Sequence, residues 1–162
     1  MSTDEFRRAM RQLAGGVTIV AAGTGEGRRG LTVSAVCSVS IDPSTLLVCI
    51  GQSTEGHRAI LETEAFSVNV LGWEQKALAE RFAGRDGVAG RERFATGNWH
   101  ELVTGSPVLV DALAAFDCRV AHKINWMTHT VFLGTVVAVR AAASPAPEPT
   151  GLVYRVGAFA AA

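Results

Sequence analysis

The sequence predicts a mainly β protein with peripheral helices, arranged as an antiparallel barrel. About seven apolar segments rich in Val, Ile and Thr have strand length, and short turns join most of them. Only two or three short segments show helical spacing, without the regular strand–helix–strand alternation of a parallel sheet. The 162 residues are 48% apolar and 19% charged, which indicates one folded domain over 1–162.

The N-terminal part of the chain predicts one helix and two strands. Residues 3–14 carry apolar side chains at helical spacing and are followed by two glycines, so they predict an amphipathic helix. Residues 17–22 and 30–40 predict strands. The glycine-rich link 23–29 is interpreted as a hairpin turn rather than a phosphate loop, because a strand and not a helix follows it.

The middle of the chain alternates strands and short helices. The unbroken apolar run 46–50 predicts a buried strand, and the Ser53-Thr54 pair predicts the cap of a helix that includes 57–61. Residues 65–71 alternate like a half-buried strand. Residues 73–83 repeat apolar side chains every three or four positions, which predicts a helix.

The C-terminal half predicts three further strands. The glycine-punctuated stretch 84–97 is expected to be a loop. Residues 114–122 and 130–140 predict strands, and 151–159 predicts the last one. The segment 141–149 contains three prolines, so it predicts a stiff exposed connection.

Charge and cysteine content narrow the function classes. Lys+Arg 15 balances Asp+Glu 15, which argues against a nucleic-acid partner or an anionic membrane surface. The longest apolar run is too short to span a bilayer, and the N-terminus lacks the apolar segment of a secretory signal. Three widely spaced cysteines predict buried, reduced thiols in a cytoplasmic protein, with neither a disulfide framework nor a metal site.

The strand predicted over 30–40 has an unusual polar face. Its even positions hold four neutral hydroxyls and no charged side chain: Thr32, Ser34, Ser38 and Ser40. Because side chains alternate along a strand, these hydroxyls should share one face. The face is either an ordinary surface strand or a site for a ligand that needs uncharged donors, such as a phosphate with a heterocycle, and spacing leaves both open.

The four histidines do not form a metal site. Cys118 and His122 are four residues apart on a predicted strand, roughly 13 Å at 3.3 Å per residue, which is too far to share a metal. His100 is expected at the surface. His57 lies in the first turn of a helix, where the dipole disfavours a cation unless an anion is near. His129 begins a strand, where it either positions a substrate or packs in the core.

These segments resemble the flavin reductases that serve two-component flavin-dependent monooxygenases. The likeness extends to the reductase component of 4-hydroxyphenylacetate 3-monooxygenase and to the pyrimidine-utilisation flavin reductase. It rests first on residues 30–40 and 42–50 and spans nearly the whole chain. The remaining matches are Phe6–Met10, Ser67–Leu71, Gln75–Gly84, Arg93-Phe94, Trp99, Phe116–Arg119, Thr128-His129 and Gly151–Tyr154.

The resemblance implies an FMN-binding split β-barrel that forms a homodimer with the flavin near the subunit interface. The implied activity is hydride transfer from NADH or NADPH to FMN or FAD, with delivery of reduced flavin to a separate oxygenase. Flavin carries the redox chemistry, so no protein acid, base or nucleophile is required. A non-catalytic flavin-binding module on the same barrel is the alternative, and a pyridoxamine-phosphate-oxidase-like enzyme would need more basic residues.

The resemblance also implies a set of site residues. The cofactor-binding set is Thr32, Val33, Ser34, Cys37, Ser38, Val39, Ser40, Gln52, Ser53, His57, Arg58, Tyr154 and Arg155. The first three should face the isoalloxazine through backbone groups, and the segment 38–40 should reach the phosphate or ribityl chain. Residues 52–58 should complete the phosphate side at a helix N-terminus, and the last two should close the far wall. His129 is the implied catalytic residue beside the nicotinamide.

Two positions depart from the family pattern. Met127 stands where the family often has glycine before the Thr-His pair. The chain stops at Ala162, soon after Tyr154, so the resemblance implies a C-terminal wall that is short or completed by a partner subunit. No dinucleotide fingerprint occurs, so the nicotinamide is expected to bind in the flavin cleft.

Overall fold

The computed structural model describes residues 1–141 and 149–162 and confirms the mainly antiparallel β class. The strands are β1 (Gly15–Gly16), β2 (Thr18–Ala22), β3 (Arg29–Val33), β4 (Val36–Ile41), β5 (Ser44–Gly51), β6 (Ala65–Val70), β7 (Trp99–Glu101), β8 (Pro107–Leu109), β9 (Ala114–Trp126), β10 (His129–Ala141), β11 (Leu152–Arg155) and β12 (Ala158–Ala161). The helices are α1 (Thr3–Met10), α2 (Glu55–Thr63) and α3 (Lys76–Phe82), with 3-10 turns at Gly25–Gly27, Trp73–Gln75 and Gly90–Ala95.

The central sheet has seven strands in the order β3-β2-β6-β9-β10-β5-β4. Its two outer strands, β3 and β4, follow each other in the chain with only Ser34 and Ala35 between them. The Cys49 N–H of β5 donates to the Ala35 carbonyl at 3.0 Å, so the sheet curls until this junction joins its two edges. The single strand predicted over 30–40 is therefore divided into two strands that pair with different neighbours.

The sheet is covered on both faces. Ile19 and Val20 are adjacent in β2 and therefore point to opposite faces, yet both are fully buried. Ile19 belongs to a cluster with Phe82 of α3, whereas Val20 packs in the second cluster with Phe66 and Phe132. Two apolar layers thus stabilise one curled sheet, as expected when strands wrap around their own core.

The first helix contrasts with this core. The Ser2 side chain accepts from the Glu5 N–H and caps α1, but the helix buries none of its residues. The Val156 N–H donates to the Arg11 carbonyl at 2.7 Å and ties the end of this segment to the β11–β12 hairpin. The helix ends at Met10, earlier than the predicted end at residue 14, and the chain continues through a turn.

Several predicted elements differ because tertiary packing decides them. The predicted loop 84–97 contains the 3-10 turn Gly90–Ala95, because Phe94 is buried against Phe82 and Trp99. The predicted strand 151–159 is the β11–β12 hairpin, which turns where Val156 and Gly157 have positive φ. The β7–β8 pair was not predicted. Residues 142–148 of the predicted connection lie outside the described residues, and Ala141 ends β10.

The three cysteines are free, and only Cys118 is buried. Burial, and next the nearby Asp117 carboxylate, raise the pKa of the Cys118 thiol to about 12. Cys37 is exposed and Cys49 is half-buried, so the prediction of three buried thiols was wrong for both. Among the described residues no helix has the length and apolarity needed to cross a membrane.

Candidate active site

The β3–β4 junction, Ser34 and Ala35, is exposed directly after two anchored residues of β3. The Thr32 hydroxyl donates to the Ala79 carbonyl of α3 at 2.7 Å, and the Thr18 hydroxyl donates to the Val33 carbonyl at 2.8 Å. The Val33 side chain is buried, so only its backbone can meet a ligand. Ser34 and Ala35 are exposed and small. A flat ring can therefore approach the chain closely here.

A cavity of about 180 Å³ lies beside this junction and joins two of the predicted groups. Thr32, Ser34 and Tyr154 line it, together with Arg85 and Phe159. The Tyr154 and Phe159 rings meet edge-to-face with centroids 5.3 Å apart, and the Arg85 guanidinium carbon lies 4.8 Å from the Phe159 centroid. We name this space the ring cavity. It combines aromatic walls, hydroxyls and one cation, which suits a planar heterocycle with a polar edge.

Neither Arg85 nor Phe159 was a sequence-predicted site residue. Arg85 follows a glycine in a stretch interpreted as a loop, and Phe159 was assigned to the last strand. The β11–β12 hairpin brings Phe159 beside Tyr154. The turn that follows α3 places Arg85 over the two rings, 4.8 Å from the Phe159 centroid and 5.9 Å from the Tyr154 centroid. The single extended strand predicted over 151–159 would not bring Tyr154 and Phe159 into contact, because it lacks the hairpin turn.

A second predicted group gathers where β5 meets β10. Gly51 pairs with His129, and the Gln52 N–H donates to the Thr128 carbonyl at 2.9 Å. The Gln52 side-chain amide also donates to the His129 carbonyl at 3.1 Å. His129 is exposed, and its Nδ1 lies 2.9 Å from the Thr128 hydroxyl. The Cys49 N–H of β5 donates to the Ala35 carbonyl in the β3–β4 junction, and β10 pairs with the other edge of β5. His129 of β10 therefore lies two strands away from Ser34, at the same end of the sheet.

His57 is turned into the protein and does not face solvent. Its Nε2 lies 2.9 Å from the Thr130 hydroxyl, which donates its single proton to Asn125 Oδ1 at 2.8 Å. His57 Nε2 therefore carries a hydrogen and donates to Thr130. Burial lowers the pKa of His57, and its ring packs against Phe132. The neutral imidazole thus binds Thr130 of β10 and does not provide a cation for an anionic ligand.

The neighbouring predicted residues point elsewhere. Ser53 and Arg58 are exposed, and Arg58 lines a separate cavity of about 220 Å³ together with Arg29, Glu55 and Glu62. Thr54 caps α2 by accepting from the His57 N–H at 3.1 Å. A helix N-terminus favours a bound anion, so the start of α2 beside Gln52 would favour a phosphate.

The polar face predicted along 32–40 is interrupted by a β-bulge. Ser38 pairs with Leu46, but Ser40 pairs with Thr45, the next residue along β5. Paired residues share a face, so Ser38 and Ser40 lie on opposite faces and the prediction of one common face was wrong. The Ser40 hydroxyl donates to the Asp42 carbonyl at 3.0 Å. Cys37 and Val39, on either side of Ser38, are exposed.

The bulge segment is also distant from the N-terminus of α2. Leu46, the partner of Ser38, lies five residues before Gly51 in β5, roughly 16 Å at 3.3 Å per residue. Ser38 and Ser40 line another cavity of about 360 Å³ with the far half of β10. One phosphate group cannot contact Ser38 and Ser53 together. Arg155 is exposed in the β11–β12 hairpin, and the described residues contain no cluster of three metal-ligating side chains.

Comparisons with known proteins agree with this arrangement. The family model for the flavin reductase like domain matches residues 10–162. The FMN reductase (NADH) RutF of Bradyrhizobium diazoefficiens is 42% identical over 140 residues, covering 86% of this chain and 77% of that protein. A candidate flavin reductase from Haemophilus somnus has a crystal structure that superposes with a TM-score of 0.91 at 35% identity, covering 100% of both chains. The styrene monooxygenase flavin reductase of Pseudomonas putida S12 gives a TM-score of 0.81 at 27% identity, covering 98% of this chain and 97% of that chain.

Proposed function

We propose that this chain, which belongs to the flavin reductase like domain family, reduces a flavin with NADH and delivers the reduced flavin to a separate oxygenase. The reaction class is inferred from two similar proteins. One is named an FMN reductase (NADH), and the other is the flavin reductase of styrene monooxygenase. The observation in this chain that supports the activity most directly is the ring cavity beside the exposed β3–β4 junction.

The residues around the ring cavity fit a flavin. The small exposed Ser34 allows close approach to the backbone, while Tyr154 and Phe159 provide an aromatic wall. When bound, the flavin supplies the redox chemistry by accepting a hydride from the reduced nicotinamide. Arg85 would face the negative charge that reduction develops on the ring and stabilise it electrostatically.

The chain's remaining task is to hold the hydride donor at reacting distance. His129 is exposed at the end of the sheet that carries the β3–β4 junction, and Gln52 anchors its backbone. His57 and Thr130 stiffen this corner from below. We propose that His129 positions the nicotinamide and that the N-terminus of α2 beside Ser53 receives the flavin phosphate.

We also propose a homodimer. Val39 and Ile41 of β4 and Val139 of β10 are 51%, 89% and 57% exposed, and the β9–β10 turn exposes 69% of Trp126 and 81% of Met127. Ile41 and Val139 line one cavity on this sheet, and exposed apolar side chains of this kind are typical of surfaces that a second copy covers. Light scattering at micromolar concentration should give twice 17.0 kDa, and a particle of 17.0 kDa would contradict the proposal.

We propose a cytoplasmic location. The three cysteines are all free, and exposed Cys37 would persist as a thiol in a reducing compartment. Fractionation of the native host, followed by immunodetection, tests this. Recovery in the periplasm or the membrane fraction would contradict it.

Steady-state oxidation of NADH, followed at 340 nm with FMN, FAD or no flavin, tests the activity. We expect turnover only when flavin is added, with FMN preferred over FAD and NADH over NADPH, in keeping with the RutF relative. Tight flavin binding without NADH oxidation would instead favour a non-catalytic flavin-binding module. Adding an oxygenase from the same genome should couple NADH consumption to substrate oxygenation.

A further inference from the structure

A second cavity of about 540 Å³ opens next to the ring cavity, within the size range of small-molecule sites. Ser34 and Tyr154 line both spaces, so the two cavities adjoin at these residues. The larger space is covered by α1 and the turn that follows it. We name it the helix cavity.

The lining of the helix cavity is apolar with two cations. Phe6, Met10 and Leu13 expose 50%, 46% and 65% of their surface around it. Arg7 and Arg11, one helical turn apart, also line it, and no carboxylate does so among the described residues. Arg8 of the same helix does not line the cavity. The helix thus presents apolar surface and two guanidinium groups to one space and keeps its third arginine out of it.

We propose that the helix cavity binds the adenosine diphosphate moiety of a dinucleotide whose ring half occupies the ring cavity. This inference rests on the proposed function. The apolar face around Phe6 accepts the adenine, and Arg7 and Arg11 bind the two phosphates, since guanidinium groups form strong bonds with phosphate oxygens. Charge complementarity selects this occupant, because two phosphates would give both guanidinium groups an anionic partner inside the cavity. The ion pair of Arg7 with Asp4 at 3.6 Å is solvent-exposed and competes only weakly.

Two dinucleotides carry this moiety, NADH and FAD, and truncated substrates distinguish them. Reduced nicotinamide mononucleotide lacks the adenosine phosphate of NADH, and FMN lacks that of FAD. Rates are measured for the four combinations of donor and flavin with wild-type protein, the R7Q/R11Q double variant and the matched control R8Q. Binding of ADP, followed by calorimetry, provides a readout that does not depend on turnover.

We expect R7Q/R11Q to weaken ADP binding and to lower kcat/KM roughly tenfold to a hundredfold for the dinucleotide that uses the cavity. The reaction of reduced nicotinamide mononucleotide with FMN should be unchanged, and R8Q should resemble wild type. A loss confined to NADH identifies the hydride donor as the occupant, and a loss confined to FAD identifies the flavin.

Three results would overturn the inference. They are an equal loss with all four substrate combinations, an equal loss in R8Q, and an absence of ADP binding by the wild-type protein. Conversion of a dimer to a monomer by F6S/L13S would assign the apolar face of α1 to a second copy and would also overturn it. Failure of the proposed function is separable, because it would abolish reduction of FMN by either donor in the wild-type protein.

Discussion

The Nε2 atom of the buried His57 ring lies 2.9 Å from the hydroxyl oxygen of Thr130, at the corner where β5, β10 and α2 meet. Thr130 also lies 3.4 Å from the Gln52 side-chain amide. One interior hydroxyl therefore joins the helix to the segment that anchors His129. This relationship makes the corner sensitive to the protonation state of His57.

Stability should fall on acidification because of His57. Burial lowers its pKa below the ordinary 6.5, so between these two values the unfolded chain binds more protons than the folded protein. The contribution is fully present above pH 6.5 and is lost as the pH falls toward the lowered value. Thermal melts from pH 8 to pH 5 should show a smaller decrease for His57→Gln than for wild type. Parallel curves for the two proteins would refute this assignment.

His129→Ala should slow flavin reduction while leaving oxidised flavin bound. His129 is exposed and is held through its backbone, so losing the ring should cost little stability. Hydride transfer is sensitive to small misplacements, and we expect a decrease of roughly tenfold to a hundredfold in stopped-flow reduction rate. An unchanged rate with unchanged flavin affinity would remove His129 from the site, and His100→Ala serves as the matched control.

The location of the flavin phosphate can be decided by two aspartate variants. Ser53 lies beside the α2 N-terminus, whereas Ser38 is aligned with Leu46, five residues before the end of β5. We expect Ser53→Asp to weaken FMN binding at least tenfold by charge repulsion and Ser38→Asp to have little effect. Lumiflavin, which lacks the phosphate, should bind both variants like wild type. The reverse order in fluorescence titrations would assign the phosphate to the β4 bulge.

Met127→Gly should stabilise the protein. Met127 is 81% exposed and has a φ of 49°, a left-handed conformation that costs an ordinary residue about 1–2 kcal/mol. Glycine removes this cost but adds backbone entropy, so the net gain should be about 0.5–1 kcal/mol. Differential scanning calorimetry should show a rise in Tm of roughly 2 °C. A lower Tm would show that contacts of the Met127 side chain outweigh its backbone conformation.

Asp117→Ala should destabilise the loop that precedes β8. The fully buried carboxylate accepts from the Val103 and Thr104 N–H groups, both at 2.8 Å, and from the Thr104 hydroxyl. Truncation leaves these donors without their acceptor, and we expect a loss of about 3 kcal/mol in unfolding free energy. Urea denaturation measures it, with Asp111→Ala as the exposed control. A loss similar to that of the control would contradict this role.

Much of the strand content follows from local pattern. Apolar runs, alternation and β-branched residues predicted β2, β5, β6 and β10 to within a few residues, because such side chains pack well in a pleated sheet. The predicted helix over 57–61 lies inside α2, where Thr54 provides the expected cap. The glycine expected by resemblance at Met127 also has a local reason, since that position has positive φ.

The candidate site was less predictable than the strands. Thr32 and Ser34 were indicated by the polar strand face and then by the family resemblance, Tyr154 by the resemblance alone, and all three line one cavity. Arg85 and Phe159 were missed because neither lies in a pattern that indicates a ligand. Buried His57 looked like an anion-binding cation in sequence, since helix position reveals nothing about the direction of the ring.

By itself, the sequence determined the antiparallel β class, the positions of most strands along the chain and the family resemblance, because these depend on side-chain alternation and turn chemistry along the chain. Only the tertiary structure decided that residues 30–40 divide at Ser34, that a bulge separates the faces of Ser38 and Ser40, and that Arg85 lies over Tyr154. Each of these depends on which strand pairs with which neighbour. Strand pairing is determined by the burial of two apolar layers around one curled sheet. The local periodicity of the sequence does not specify which strands pair.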